Sequence, residues 1–327
     1  MRAAPHHGTM TADPALTARF EAARPQLGAL AYRMLGSADD AEDAVQEAWL
    51  RLDASTDRAG GIANLDAWLT TVVARICLNM LRDRRDQGRE ELVERLPDPI
   101  VDPVGKFNPE HRAMLADAVG LALFVVLNTL RPAERLAFVL HDVFAVPFEQ
   151  IASIVERSPE AARKLASRAR RRIERAEAVP DRGIAAQRRL VDAFFAAGRS
   201  GDFDRLVSLL DPGVVLRGDL GPGAVRSAHG ASAVAALARS YASPEREVRP
   251  ATVNGAAGVV VFVAGRPAAV MGFLVRKGRI AAIDVLADPQ RIAKLDLGAL
   301  NQLGRVSVPR PAAVPWPSCA TASSCPG

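Results

Sequence analysis

Cysteine is scarce in this chain, and no apolar run is long. Of the 327 residues three are cysteine: Cys77 stands alone in a helical pattern, and Cys319 and Cys325 lie in a Pro-, Ser- and Ala-rich tail. This distribution excludes a disulfide framework and a Cys-x-x-Cys metal site. The longest apolar run, Val119 to Leu127, has about nine residues, far below the ~20 that cross a bilayer. With no signal-peptide pattern at the start, we expect a cytoplasmic protein without membrane segment, metal or cofactor.

Lysine is nearly as scarce, although the formal net charge is +5. Only four of the 42 basic residues are lysine, so 38 are arginine. The planar guanidinium group matches phosphates and base edges better than an ammonium group does. Because an arginine- and alanine-rich composition can also follow from a GC-rich genome, the positions of the arginines have to decide whether they bind nucleic acid.

Helical and strand-like patterns divide the chain into several units. Helical periodicity fills most of the first half, interrupted by a Pro- and Asp-rich segment, and strand-like runs appear only after residue 183. This predicts a multidomain protein, with two all-α domains followed by an α+β domain. The predicted units are a disordered segment 1–15, a helical domain 16–94, a linker 95–109, a helical domain 110–177, an α+β domain 183–297 and a disordered tail 298–327.

The segment from Gly36 to Leu52 predicts a helix with one acidic face. Ser37 is a suitable N-cap, and carboxylates in the first turn complement the helix dipole. Away from its apolar stripe the helix offers carboxylates and an amide to a basic partner, although an ordinary solvated face would look the same. The candidate contacts are Asp39, Asp40, Asp43, Gln46 and Glu47.

The next predicted helix, from about Leu65 to Arg85, has a basic face instead. Its polar stripe combines guanidinium groups, which bind phosphates, with an asparagine that can bond a base edge. Trp68 is a candidate for stacking on a base, although a core position is the simpler interpretation. The candidate nucleic-acid contacts are Trp68, Arg75, Asn79, Arg82, Arg84 and Arg85.

The most specific local pattern predicts a helix-turn-helix motif from Phe148 to Ile173. Ser158, Pro159 and Glu160 supply an N-cap, a proline at the first helical position and an acid in the first turn. The second helix has a narrow, alanine-rich apolar face, too small to anchor in lipid, and many basic residues that suit DNA. The candidate contacts are Ser158, Pro159, Glu160, Arg163, Lys164, Ser167, Arg168, Arg171 and Arg172.

These motifs, in this order, resemble an extracytoplasmic-function (ECF) sigma factor, a two-domain bacterial transcription initiation factor. YRMLGS (32–37) with DDAEDAVQEAWLR (39–51) resembles the region that docks on the polymerase clamp, residues 68–85 the −10 reading region, and residues 148–173 the helix-turn-helix that reads the −35 element. The resemblance covers residues 16–177. It implies core RNA polymerase (β′ clamp and β flap) and promoter DNA as partners, and no enzymatic activity. The linker is long enough to let the two sigma regions bind far apart on polymerase.

The last third resembles the SnoaL-like fold, a cone-shaped α+β barrel. Its fusion to a sigma factor resembles the SigJ-like group, in which this domain stands in place of a separate anti-sigma protein. The group's linker motif corresponds here to Arg95–Pro99 without the tryptophan, its glycine-rich loop to Asp219–Gly223 without the lysine, and its late motif to Asp288–Ile292. The resemblance implies regulatory contacts by Leu96, Pro97, Asp98, Pro99, Asp219, Asp288, Pro289 and Arg291.

Other functions stay open at this stage. The SnoaL-like fold also hosts enzymes, for which Asp219, His229 and Asp284 are the only candidates, and it can hold a small-molecule ligand without catalysis. A one-component repressor would explain residues 110–290 and leave 37–85 unexplained. We therefore predict a sigma factor that binds core RNA polymerase, starts transcription at specific promoters and is regulated in cis by its C-terminal domain.

Overall fold

The computed structural model describes residues 14–54, 64–86, 95–105, 120–178, 180–181, 183–222, 224–241 and 245–301, together with positions 62, 108, 111, 115 and 243. Most of the two segments predicted to be disordered, 1–15 and 298–327, lies outside the described residues. In the described part of the chain, no helix is both long and apolar enough to cross a membrane.

Three helices form the first unit. They are α1 (Pro14–Leu35), α2 (Ala38–Ala54) and α3 (Leu65–Asp86). Leu69, Val73 and Ile76 lie on one side of α3 at helical spacing, and burying that side holds it against the other two helices. Ser37 begins α2 as predicted, because its Oγ accepts a hydrogen bond of 3.3 Å from the Asp40 amide.

The second unit contains the helix-turn-helix. Its helices are α4 (Gly120–Asn128), α5 (Pro132–Phe138), which continues into a π-helical turn (Val139–Val143), α6 (Phe148–Val155) and α7 (Pro159–Ala176). Glu156 ends α6 in the left-handed conformation, at φ 58°. Ser158 caps α7 by accepting a 3.2 Å hydrogen bond from the Ala161 amide. The predicted turn and cap of the motif are both present.

The two helical units share one hydrophobic core in this structure. A single cluster of buried side chains runs from Phe20 on α1 to Ile173 on α7. The rings of Tyr32 and Phe124 lie 4.9 Å apart between their centroids and join α1 to α4. The two sigma-like units are thus packed together rather than joined by the linker alone.

The C-terminal unit is a curved sheet covered by helices. Its helices are α8 (Ile184–Ser200), α9 (Phe203–Leu209), α10 (Ala231–Ser240), α11 (Pro289–Ile292) and α12 (Gly298–Asn301). Its strands are β1 (Val101–Pro103), β2 (Leu210–Asp219), β3 (Val225–His229), β4 (Arg246–Val253), β5 (Ala256–Val263), β6 (Arg266–Arg276) and β7 (Arg279–Leu286). The strand order is β1-β4-β5-β6-β7-β2-β3; the β2–β7 pair is parallel, and the other pairs of described strands are antiparallel.

Two-residue turns connect the four strands from β4 to β7. Asn254–Gly255, Ala264–Gly265 and Lys277–Gly278 all have positive φ at both positions. That combination is the type I′ turn, which matches the twist of paired strands. Together the helical units and this mixed sheet confirm the predicted fold class.

Three elements differ from what the sequence predicted. The linker contributes β1, an edge strand whose Val101 pairs with Val253 of β4; an edge position tolerates Pro103 because one side of the strand needs no donor. Strand β3 was not predicted. It is an edge strand with mostly exposed side chains, so its sequence has no alternation of apolar and polar residues. Residues 298–301 form α12 rather than part of the tail, since Leu300 is buried in the cluster beside β1 and β4.

Candidate functional site

Helix α7 presents a basic face to solvent. Arg163, Lys164, Arg168 and Arg171 are exposed, and among the described residues no carboxylate lies within ion-pair distance of them. The guanidinium group of Arg163 lies 5.1 Å from the centre of the Phe148 ring, which orients it. The face is therefore open to a polyanion.

The remaining candidates on this motif have structural partners. Arg172 approaches Glu134 at 4.0 Å, and Ser167 Oγ accepts a 3.3 Å bond from Arg171. Pro159 and Glu160 form the first turn of α7, and the pKa of Glu160 is lowered by its own backbone amide and by the Ser158 hydroxyl. These residues fix the start and one side of the helix.

The acidic face of α2 is partly occupied from within the chain. Asp43 and Gln46 are exposed, and Glu47 accepts a 3.0 Å bond from Arg51 on the same helix. Asp39 forms a 3.2 Å ion pair with Lys294, which follows α11 of the C-terminal unit. Asp40 forms a 2.7 Å ion pair with Arg84 of α3.

The basic face of α3 contacts the helix-turn-helix. Arg75 Nη2 donates a 3.3 Å hydrogen bond to the carbonyl of Ser153 on α6. Gln150 of α6 donates at 3.2 Å to Thr71 Oγ1. Asn79, Arg82 and Arg85 remain exposed, whereas Trp68 packs partly buried against the core.

Arg291 joins the linker to the C-terminal unit. Its Nε donates to Asp98 at 2.7 Å, its Nη1 to Asp219 at 2.6 Å and its Nη2 to the Leu96 carbonyl at 2.6 Å. Asp219 is fully buried and also accepts from the amides of Leu96 and Gly221, each at 3.1 Å. We call Arg291, Asp98, Asp219 and Leu96 the linker clamp.

The other predicted regulatory residues surround the linker clamp. Asp288 begins α11 by accepting a 2.9 Å bond from the Gln290 amide, and it accepts a 3.4 Å bond from Arg95. Pro289 is the first residue of α11 and is exposed, while Pro97 and Pro99 are buried. The structure thus brings the linker motif and the two C-terminal motifs to one place, across almost two hundred residues of sequence.

A buried chain of hydrogen bonds extends the linker clamp into α1. The Tyr32 hydroxyl donates to the Asp98 carbonyl at 2.7 Å and accepts from Asn254 Nδ2 at 2.8 Å. Burial raises the pKa of Tyr32 above its ordinary value. Asn254 also bonds both backbone groups of Ile100, as acceptor to the amide and donor to the carbonyl.

Sequence reasoning missed four of these residues. Tyr32 stood within the sigma-like motif, but nothing in the sequence paired it with Asn254, which lies in the β4–β5 turn. The Asn-Gly pair does signal a turn, yet not that its side chain is buried. Lys294 had no local signal, and Arg95 belongs to the linker motif but nothing in the sequence paired it with Asp288, because each meets its carboxylate only in the folded chain.

The three residues weighed for catalysis do not converge. Asp219 is held in the linker clamp, and His229 is exposed at the other end of the β2–β3 pair, opposite Val215. Asp284 is buried beside Arg217, whose Nε donates to it at 2.6 Å, and burial raises the pKa of Asp284. Within the described residues no group of three His, Cys, Asp or Glu side chains has metal-binding geometry.

The helical units match two known sequence families. Residues 19–87 match the family described as Sigma-70 region 2, and residues 121–173 match Sigma-70, region 4. The first range covers most of α1 and all of α2 and α3, and the second covers nearly all of α4 to α7. These helices carry the acidic, basic and helix-turn-helix features described above.

Similarity to curated proteins extends over most of the chain. The ECF RNA polymerase sigma factor SigJ of Mycobacterium tuberculosis is 38% identical over 293 residues, which cover 83% of this chain and 91% of that protein. A probable ECF RNA polymerase sigma factor, SigI, of the same species is 35% identical and covers 86% of this chain and 96% of its own length.

A solved structure supports the same relationship. The crystal structure of Mycobacterium tuberculosis SigJ matches with a TM-score of 0.68 and 36% identity, covering 86% of this chain and 99% of that chain. The match therefore includes the C-terminal SnoaL-like unit. With this identity and coverage, the chain belongs to the family of ECF RNA polymerase sigma factors.

Proposed function

We propose that this sigma factor is regulated in cis by its C-terminal unit, which holds the two sigma regions packed together until the linker is released. The observation that carries the proposal is the linker clamp, because Arg291 binds Asp98 and the Leu96 carbonyl of the linker while it binds buried Asp219 of the C-terminal unit. Buried charge-assisted hydrogen bonds with several partners are among the strongest polar contacts in proteins.

Promoter geometry supports a closed state that must open. Elements named −10 and −35 are about 25 base pairs apart, roughly 80 Å along B-form DNA. The packed core between α1 and α4, and the Arg75 contact with Ser153, keep α3 beside the helix-turn-helix. A chain in which α3 touches the helix-turn-helix therefore cannot contact the −10 and −35 elements at the same time.

The polymerase-binding surface is restrained in the same arrangement. We infer that Asp39, Asp40, Asp43, Gln46 and Glu47 of α2 bind the basic β′ clamp of polymerase, where charge complementarity mainly sets on-rate and register. Lys294 already neutralises Asp39 at the start of that face. Release of the C-terminal unit would therefore uncover the carboxylate nearest to it.

On the open chain, the DNA contacts divide between two elements. The exposed arginines of α7 bind the −35 duplex in the major groove, with the region around α7 resting on the β flap. Asn79, Arg82 and Arg85 of α3, together with Arg75 once it leaves Ser153, bind the separated −10 strand. Trp68 and Arg84 need a local rearrangement to take part, since one packs on the core and the other pairs with Asp40.

The test is run-off transcription by purified core polymerase from a promoter that responds to this factor. We compare the full chain with Asp98→Asn, which weakens the linker clamp at its more exposed carboxylate. The matched control is Asp296→Asn in the C-terminal unit, whose carboxylate accepts a bond from the nearby Gly298 amide. Asp98→Asn should raise transcript yield and enlarge the radius of gyration in solution scattering.

Two results would contradict the regulatory part. Unchanged transcription in Asp98→Asn, with scattering that shows the chain opened, would mean that the closed arrangement does not limit activity. Unchanged transcription after removal of residues 183–327, with full core binding retained, would show that the C-terminal unit has no regulatory role. A full chain that directs no transcript while Asp98→Asn does would agree with the proposal, because the closed arrangement is expected to limit activity.

A further inference from the structure

A large polar cleft lies where the three units meet. It has a volume of about 1090 Å³ and is bounded by the α1–α2 turn, the start of α5, the linker and α11. This volume is at the upper end of what small-molecule sites occupy. The residues along the cleft come from both sigma regions and from the C-terminal unit, so an occupant would touch all three.

The charges along this cleft are unbalanced. Eight arginine or lysine side chains line it, against four aspartates. Several of the cations are already paired, such as Arg84 with Asp40 and Arg291 with Asp98. Arg85 and Arg131 are exposed and have no ion pair among the described residues. The cleft therefore keeps an excess of positive charge after its internal pairs are formed.

One buried guanidinium group in the cleft forms no ion pair with any carboxylate that the structure describes. Arg135 of α5 is 3% exposed, and its Nε donates to the Arg33 carbonyl at 2.8 Å while its Nη1 donates to Asn128 Oδ1 at 2.6 Å. Its Nη2 has no hydrogen-bond partner among the described residues. Both of its partners are neutral, and burial lowers the pKa of Arg135 to about 9.

Leaving a buried cation without an anion costs free energy. The cost is removed if a ligand supplies the negative charge, and guanidinium groups bind phosphoryl oxygens in paired, planar geometry. Arg131, four residues before Arg135, and Arg85 of α3 line the same cleft. Three arginines without a carboxylate partner among the described residues match an anion that carries several charges better than they match a single monoanion.

We propose that the cleft between the sigma regions and the C-terminal unit binds a small anion with linked phosphoryl groups, held by Arg135, Arg131 and Arg85. Arg135 supplies an uncompensated positive charge beneath the cleft surface, where its Nη2 lies beside Gly36, and the two exposed arginines bind the phosphoryl groups. Because the ligand touches all three units, it stabilises the closed arrangement. The binding itself does not depend on the regulatory role proposed above.

The test is calorimetric titration of the full-length chain with inorganic phosphate, pyrophosphate and tripolyphosphate, and separately with guanosine 5′-diphosphate. Pyrophosphate and tripolyphosphate should bind with one site per chain and raise the thermal unfolding midpoint, whereas phosphate should bind more weakly. If the nucleotide binds more tightly than pyrophosphate, the cleft recognises the nucleoside as well as the phosphoryl groups. If the two bind equally, the cleft recognises the phosphoryl groups alone.

Substitutions separate this cleft from the DNA-binding helix. Arg131→Ala removes an exposed side chain and should weaken pyrophosphate by about tenfold, since each arginine supplies charge-assisted hydrogen bonds. Arg135→Gln should abolish pyrophosphate binding. If Arg135→Gln does not fold, the exposed substitution Arg131→Ala still tests the proposal. The matched control Arg163→Ala/Arg168→Ala should bind normally. No binding by the full chain, or binding lost only in that control, would overturn the proposal.

Discussion

The arginines of α7 and Arg291 of the C-terminal unit are the same residue type in opposite surroundings. Arg163 and Arg168 are exposed and have no carboxylate partner among the described residues, so their charge remains available to an outside partner. Arg291 is largely enclosed, and two carboxylates and a carbonyl use all of its nitrogen atoms. Arginine that its surroundings leave unpaired thus remains available to an outside polyanion, whereas arginine whose nitrogen atoms are all bonded joins the linker to the C-terminal unit.

The largest expected effect is on stability, from Arg291→Ala. This change leaves Asp219 fully buried without its cation, and breaking such a buried pair costs roughly 3–5 kcal/mol. Urea unfolding followed by circular dichroism should show a clearly lower midpoint for the variant.

The control for Arg291→Ala is Arg266→Ala, an exposed arginine at the start of β6. It should leave the unfolding midpoint nearly unchanged. Equal midpoints for the two variants would mean that the linker clamp adds little to stability and that the contrast with α7 does not hold.

The next effect concerns DNA and not stability. Arg163→Ala and Arg168→Ala should each weaken promoter binding by the polymerase complex and reduce the salt dependence of the affinity by about one phosphate contact. Their unfolding midpoints should match that of the unchanged chain. Fluorescence anisotropy of a labelled promoter fragment over a salt series measures both quantities.

Arg199→Ala at the exposed end of α8 is the matched control for these DNA-binding variants. It removes the same charge from a part of the molecule away from the helix-turn-helix. If it reduced the salt dependence as much as Arg163→Ala does, the arginines of α7 would be contributing net charge alone.

The helix-turn-helix could be predicted because its determinants are local. Ser158 and Pro159 start α7 through contacts within four residues, and the small inward residues Ala162 and Ala166 allow the two helices to cross closely. Any chain segment with this pattern has the same tendency, so one sequence was enough to place the motif and its exposed basic face.

The linker could be predicted only in part. Its prolines indicate a non-helical backbone. The partners of this segment lie far away in sequence, because Val101 pairs with Val253 and Asp98 binds Arg291. Family resemblance pointed to the motifs that meet there, whereas burial of Asn254 and the unpaired Nη2 of Arg135 depend on tertiary packing. Such contacts carry no local periodicity in the sequence.

A smaller stability change is expected from Tyr32→Phe. The variant keeps the ring on Phe124 but removes the hydroxyl that bonds the Asp98 carbonyl and Asn254, leaving buried polar groups unpaired. A cost of about 1–3 kcal/mol follows. Hydrogen exchange should be faster at the Asp98 and Ile100 amides, and Phe20→Leu is a control that alters the same core without touching the linker. Unchanged exchange in Tyr32→Phe would show that the Tyr32 hydroxyl does not help to hold the linker.

Lys294→Ala should change stability least, because it removes an ion pair between two exposed side chains. Lys294 and Asp39 are both well exposed, so their 3.2 Å ion pair should contribute at most about 1 kcal/mol and should weaken in high salt. The loss of stability should therefore be visible only at low ionic strength, while the on-rate for core polymerase rises because Asp39 is uncovered. Stopped-flow binding at two salt concentrations measures this change, with Lys277→Ala in the β6–β7 turn as control. An on-rate that is equal in both variants would mean that Lys294 does not shield the acidic face, and restraint by the C-terminal unit would then act through the buried linker clamp alone.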